Sequence, residues 1–150
     1  GGGRAATTRG RSRFLLEIIA AVRAVVPSTF LVGLRISPEK NCGFSLRESI
    51  ELCADVRDTV DFLHLSVWDA FAPSKVQPTM TITDALCRGI SGLPPVISTG
   101  SVWTADDASR VMRQGADLVG VGRAAIANCD CIARVQNTFR IAIYSAVARL

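Results

Sequence analysis

Apolar residues recur at Phe14, Leu15, Ile18, Ile19, Val22 and Val25, the spacing of a helix face, and Pro27 stops the pattern. Phe30 to Ile36 is a short, mostly apolar run without that period. It reads as a buried parallel strand with an arginine, Arg35, at its buried end. Ser45 and Glu48 form a capping box opening a helix that runs to about Val56. Asp61 to Val67 predicts a second strand, 68–78 a long loop with two prolines, and Thr79 to Ile90 a helix ended by Gly92 and Pro94. A third strand is expected at Pro95 to Ser98. A helix follows from about Thr104 to Gln114, with Thr104 as N-cap and Asp106 and Asp107 at its positive end. A fourth strand is expected at Asp117 to Val121, with a helix opening at Arg123 or Ala124. Helical periodicity returns around Ile141, Tyr144 and Val147.

One helix followed by four strand–helix units implies a parallel sheet. Four such units are half of a (β/α)8 barrel or a small open α/β sheet. Half a barrel leaves two open edges and an exposed apolar interior. Self-association or a missing N-terminal half is therefore expected to close it. The barrel part is expected over 1–132, with a helical tail over 133–150.

Composition narrows the class. With 49% hydrophobic residues over 150 positions, the chain suits one domain with a sizeable core. The net charge of +4 comes from scattered basic residues with few aromatics among them, which argues against a nucleic-acid partner. No stretch approaches the ~20 apolar residues of a membrane span, and Gly1 to Arg13 lacks the apolar core of a secretory signal. The five cysteines, at 42, 53, 87, 129 and 131, read as reduced thiols and a cytoplasmic location. Cys129-x-Cys131 is too close and solitary for a zinc or iron–sulfur set, so no metal is expected.

Functional residues of such folds sit at the C-terminal ends of strands. That rule selects Arg35 and Ser37, Ser66 and Trp68, Thr99 to Ser101, and Gly122 with Arg123. Two successive units, Pro95-Val-Ile-Ser-Thr-Gly-Ser101 and Ala116-Asp-Leu-Val-Gly-Val-Gly-Arg123, end apolar runs in glycine before a helix. Glycine there admits close approach of a ligand to backbone, and the loops after the last two strands of a barrel commonly bind phosphate. Arg35, in an apolar strand, needs either an anionic ligand or an ion-pair partner across the sheet. Ser66 either donates to a ligand or caps the next turn. Trp68 and Phe71 either stack on a ligand or cover the mouth. His64, between leucines on the side of Phe62 and Ser66, reads as a satisfied structural residue rather than a base.

The chain resembles the C-terminal half of the Old Yellow Enzyme family of FMN-dependent NAD(P)H:flavin oxidoreductases and ene-reductases. The resemblance rests on Arg11-Ser-Arg-Phe-Leu-Leu-Glu17, Val32-Gly-Leu-Arg-Ile-Ser-Pro38, Phe62-Leu-His-Leu-Ser66, Pro95-Val-Ile-Ser-Thr-Gly100 and Ala116-Asp-Leu-Val-Gly-Val-Gly-Arg123, in family order over about 9–130. It implies a TIM barrel whose last four β/α units are present. It implies FMN as cofactor, NADH or NADPH as reductant, and a small-molecule acceptor such as an activated alkene. Arg35 would lie near the N1/O2 edge of the flavin, and backbone around Gly100-Ser101 and Gly122-Arg123 would hold its phosphate. Ser66, Thr99 and Trp68 would lie near the cofactor or the mouth. Where the family has two glycines this chain has Gly100-Ser101. Serine still offers its N–H, provided the backbone there needs no positive φ. The family's substrate-holding His pair (or His/Asn) and proton-donating Tyr belong to the half before Gly1. A different phosphate-binding barrel fits the Leu34-Arg-Ile-Ser-Pro38 setting less well. A degenerate half-barrel that binds a phosphate-bearing ligand or a partner without chemistry is the alternative.

Overall fold

The computed structural model describes residues 8–39, 45–128 and 130. The tail, Cys42, Cys129 and Cys131 lie outside the described residues. Among the described residues five helices and four strands alternate: α1 (Thr8–Val25), β1 (Gly33–Ile36), α2 (Leu46–Val56), β2 (Phe62–Ser66), α3 (Ile82–Gly89), β3 (Val96–Thr99), α4 (Ala105–Arg113), β4 (Leu118–Gly120) and α5 (Arg123–Ala127). The strands lie in chain order in one parallel sheet, β1-β2-β3-β4.

The pleat sorts the side chains. Leu63, Leu65, Val96, Ser98 and Val119 are buried on one face against the helices, whereas Phe62, His64, Ser66, Ile97 and Thr99 are only half-buried on the other. The helices meet the first face with Leu52, Cys53 and Val56 from α2, Leu86 from α3, and Ala108 and Val111 from α4. One polar pair is built into that layer, where the hydroxyls of Thr83 and Ser98 share a hydrogen bond of 2.8 Å. Burial pushes the Cys53 thiol up to about 12 and the Cys87 thiol to about 11, which makes both poor nucleophiles.

Caps fix the helix starts. Ser45 with Glu48 and Thr104 with Asp107 each form a reciprocal capping box. The third helix starts later than Thr79, because Met80 is tied back to Ser74 by an N–H···O bond of 2.8 Å and Thr81 caps Asp84. The first helix starts earlier than its apolar stripe, at Thr8, so Arg13 lies inside it and pairs with Glu17 at 2.8 Å. That stripe splits in two: Ile19, Leu15 and Leu16 join the core, while Phe14, Ile18 and Val25 are 68%, 44% and 82% exposed.

The first strand is shorter than its apolar run. Phe30 closes a turn on Pro27 and its carbonyl accepts from Arg23 at 3.2 Å, so Phe30 and Leu31 stay outside the sheet, 54% and 70% exposed. Pairing begins only at Gly33, opposite Phe62. Just before it, Asp61 accepts from the Val32 N–H at 2.7 Å and from Arg23 at 2.7 Å. Those two contacts, the Val32 N–H foremost, hold the Asp61 carboxyl below the usual carboxylate range.

Candidate functional site

The loops leaving β3 and β4 lie side by side because Thr99 and Gly120 are register partners. Gly100 has φ 141, and a Cβ there would stand 2.6 Å from the Val67 carbonyl oxygen and 3.1 Å from the Ala70 nitrogen. Only glycine lets these backbones approach so closely. Ser101 follows at φ 53, so this position does adopt the left-handed region that the family's second glycine accommodates without cost. Its hydroxyl donates to the Trp68 carbonyl at 3.2 Å and accepts from Arg123 at 3.0 Å. Gly122, at the start of α5, has open space where a Cβ would be.

These residues line a cavity of about 230 Å³ with Val67, Trp68, Thr99, Val102, Trp103 and Gly120. The Arg123 guanidinium lies 5.4 Å from the Trp68 ring centre and 5.7 Å from that of Trp103, between two aromatic walls. The Thr99 hydroxyl donates to the Leu65 carbonyl at 3.2 Å. The Thr99 methyl fills the space beside Gly120, where a Cβ would come within 2.1 Å of it. Phe71 stands apart from the cavity lining and packs under Arg110, 4.2 Å from ring centre to guanidinium carbon.

Arg35 is exposed rather than buried, because β1 is the edge of the sheet and no strand covers it. It donates to the Ser66 hydroxyl at 2.7 Å. Ser66 is therefore an acceptor for Arg35, and it pairs in register with Thr99 on the next strand. His64, opposite Arg35 in register, is not satisfied: its Nε2 is buried without a hydrogen-bond partner. Burial, then the Arg35 charge, lowers its pKa from the ordinary imidazole value. The structure thus gathers two groups at the C-terminal ends of the strands. Arg35 and Ser66 form a flat polar edge; Thr99, Gly100, Ser101, Gly122 and Arg123 form a cradle with Trp68.

The model of the NADH:flavin oxidoreductase / NADH oxidase family matches residues 5–141. The chain belongs to that family. Among relatives of this chain, the "Probable NADH-dependent flavin oxidoreductase YqiG" of Bacillus subtilis is 31% identical over 125 residues, covering 80% of this chain and 34% of that protein. The NADH:fumarate oxidoreductase of Klebsiella pneumoniae is 32% identical over 137 residues, 83% of this chain and 15% of its own length. The N,N-dimethylglycine/sarcosine dehydrogenase of Chromohalobacter salexigens is 34% identical over 140 residues, 84% and 20% respectively. The old yellow enzyme from Trypanosoma cruzi superposes with a TM-score of 0.67 at 24% identity, over 92% of this chain and 36% of that one. The four β/α units are therefore part of a (β/α)8 barrel, and the chain spans about a third or less of the relatives it matches.

FMN is the family's cofactor, and the residues present fit its phosphate. Close backbone at Gly100, open space before Gly122 and the guanidinium of Arg123 make a small cationic cradle of the size and charge a phosphate needs. Sequence reasoning missed Trp103, whose only signal was its place two residues after the Gly100-Ser101 turn. It also missed Gly120, whose lack of a side chain admits Thr99.

Proposed function

We propose that this chain supplies the phosphate-holding and flavin-edge part of an FMN-dependent NAD(P)H oxidoreductase that reduces activated alkenes or similar acceptors. The observation that carries this reading is the adjacency of the cradle at Gly100-Ser101 and Gly122-Arg123 to the Arg35–Ser66 edge, linked through the Ser66–Thr99 register pair. FMN, when bound, supplies hydride chemistry that no side chain has. Arg35 would stabilise negative charge at the flavin's pyrimidine edge, and Trp68 would wall the mouth. The open edges of the sheet and the exposed stripe of α1 support a closing partner, either the remaining half of the barrel or a second copy of this chain. A compact, non-associating particle in analytical sedimentation would count against that need. No helix among the described residues is long and apolar enough to cross a membrane, and the reading of the thiols as reduced supports a cytoplasmic setting.

The test is a visible spectrum of the full chain after FMN addition and gel filtration. A retained flavin band supports the reading. Failure to retain flavin refutes it for the chain by itself. Retained flavin without NAD(P)H oxidation favours a binding protein without chemistry.

A further inference from the structure

One side chain ties together the loops leaving β1 and β2, and neither the cradle nor the Arg35–Ser66 edge uses it. Glu39 follows Ser37-Pro38 and has φ 57, a conformation that a residue with a Cβ rarely adopts. There its carboxylate accepts from the Ser74 hydroxyl, from the Lys75 N–H at 2.9 Å and from the Val76 N–H at 3.3 Å. The Ser74 hydroxyl oxygen also accepts from the Val76 and Gln77 N–H groups, each at 3.1 Å. Ser74 is 1% exposed, its N–H is bonded to Met80, and Pro73 bridges Thr81. The loop is thus closed on itself, and its successive N–H groups form a concave anion nest that Glu39 fills from another element.

A disfavoured backbone angle persists only where the surroundings over-determine it, and such residues cluster at functional sites. The two elements joined here are those that form the flavin edge. The β1 exit carries Arg35, and the loop after β2 carries Trp68 and Phe71. Arg35 to Ser66 is one tie between these strand ends, and Glu39 to 74–76 is a second, four residues further along. We infer that Glu39 is a positioning residue: its carboxylate latches the β2–α3 loop to the β1 exit and so fixes the Trp68 wall relative to Arg35. The latch stands on its own contacts, while its service to a flavin ring rests on the proposed function.

The test compares the chain with its Glu39→Gly and Glu39→Gln variants. Glycine accepts φ 57 freely, so Glu39→Gly removes the carboxylate without adding backbone strain. Trypsin cleavage after Lys75, followed by mass spectrometry, reads loop opening. It should be at least about tenfold faster in Glu39→Gly, as expected for losing charge-assisted bonds to one carboxylate. Glu39→Gln, which keeps one carbonyl acceptor, should fall between. Sodium acetate should restore protection in Glu39→Gly by refilling the nest, and sodium chloride at equal ionic strength should not. Equal cleavage in all three chains, or no difference between acetate and chloride, overturns the latch. FMN and inorganic phosphate titrations then read positioning. Glu39→Gly should weaken FMN binding about tenfold and leave phosphate binding unchanged. Unchanged FMN affinity, or equal loss of both ligands, overturns the positioning role. A wild-type chain that binds no FMN overturns the flavin reading and the ring-positioning role with it. Cleavage and acetate rescue then decide the latch alone.

Discussion

Replacing Gly100 by alanine is the sharpest single perturbation of the cradle. The new Cβ would sit 2.6 Å from the Val67 carbonyl oxygen, 2.9 Å from its Cγ2 and 3.1 Å from the Ala70 nitrogen. A side chain could rotate away, but both backbone groups are pinned. The Val67 N–H is bonded to Thr99 at 3.2 Å, and the Ala70 N–H to Gly100 itself at 3.1 Å. The φ of 141 adds strain of about 1–3 kcal/mol for a residue with a Cβ. Losing the Ala70 bond costs about 1 kcal/mol more. The stiffer unfolded chain gives back about 0.4–1 kcal/mol, leaving a net loss of roughly 1–3.5 kcal/mol before the contact with Val67 is counted. That is a large share of a typical stability of ~5–15 kcal/mol. Urea unfolding followed by tryptophan fluorescence measures it, and the midpoint should fall clearly. Gly122→Ala is the control: its Cβ meets nothing within 4 Å, so stability should stay within about 0.5 kcal/mol while FMN retention drops. A Gly100→Ala chain that unfolds at the wild-type midpoint and still retains FMN would refute the close-approach argument.

Three further tests follow from the electrostatics. Arg35→Ala should weaken FMN binding or shift the flavin potential where the barrel is complete, and unchanged values in both would remove its assigned role. Asp61 has its folded pKa depressed, so its contribution is fully present above the ordinary carboxylate value and is lost as pH falls through the depressed one. From about pH 4 downward, wild type should therefore lose stability more steeply than Asp61→Asn, read by acid unfolding. His64 also has a depressed folded pKa, but its charged form is the disfavoured one. As pH drops below about 6.5 the unfolded chain takes up the proton first, so wild-type stability should fall. In His64→Gln that fall should be absent, and equal slopes in urea midpoints from pH 7.5 to pH 5.5 would contradict the assignment.

The elements were legible where local chemistry decides them. Capping at Ser45 and Thr104, glycine punctuation and the alternation of strand with helix gave both order and parallel sheet. Boundaries failed where a distant partner intervened. Phe30 and Leu31 look like strand, but Arg23 and Asp61, 38 residues apart in the chain, claim the backbone there first. Arg35 looks buried because its neighbours are apolar, yet whether an edge strand is covered depends on what lies beside the sheet. His64 illustrates the same limit: periodicity gave its face, whereas its lack of a partner depends on three strands at once.

The site divides along the same line. The cradle proposed for phosphate lies in two short glycine-bearing segments that stand out in the sequence, although the reason for Gly100 is itself distant: Val67 and Ala70 on the loop after β2 leave no room for a Cβ, while Gly122 has open space. The Arg35–Ser66 edge, proposed for the flavin ring, is a long-range tie over 31 residues, and the Glu39–Lys75 bond beside it spans 36. Cost follows from the contacts. A substitution at Gly100 is felt at once in folding, whereas one at Gly122, with open space around it, is read only in binding. A change at the edge leaves the elements intact and alters only how β1 and β2 face each other. Stability measurements alone would therefore report Gly100 and miss both Gly122 and the edge, and the edge shows only when ring and phosphate binding are measured separately.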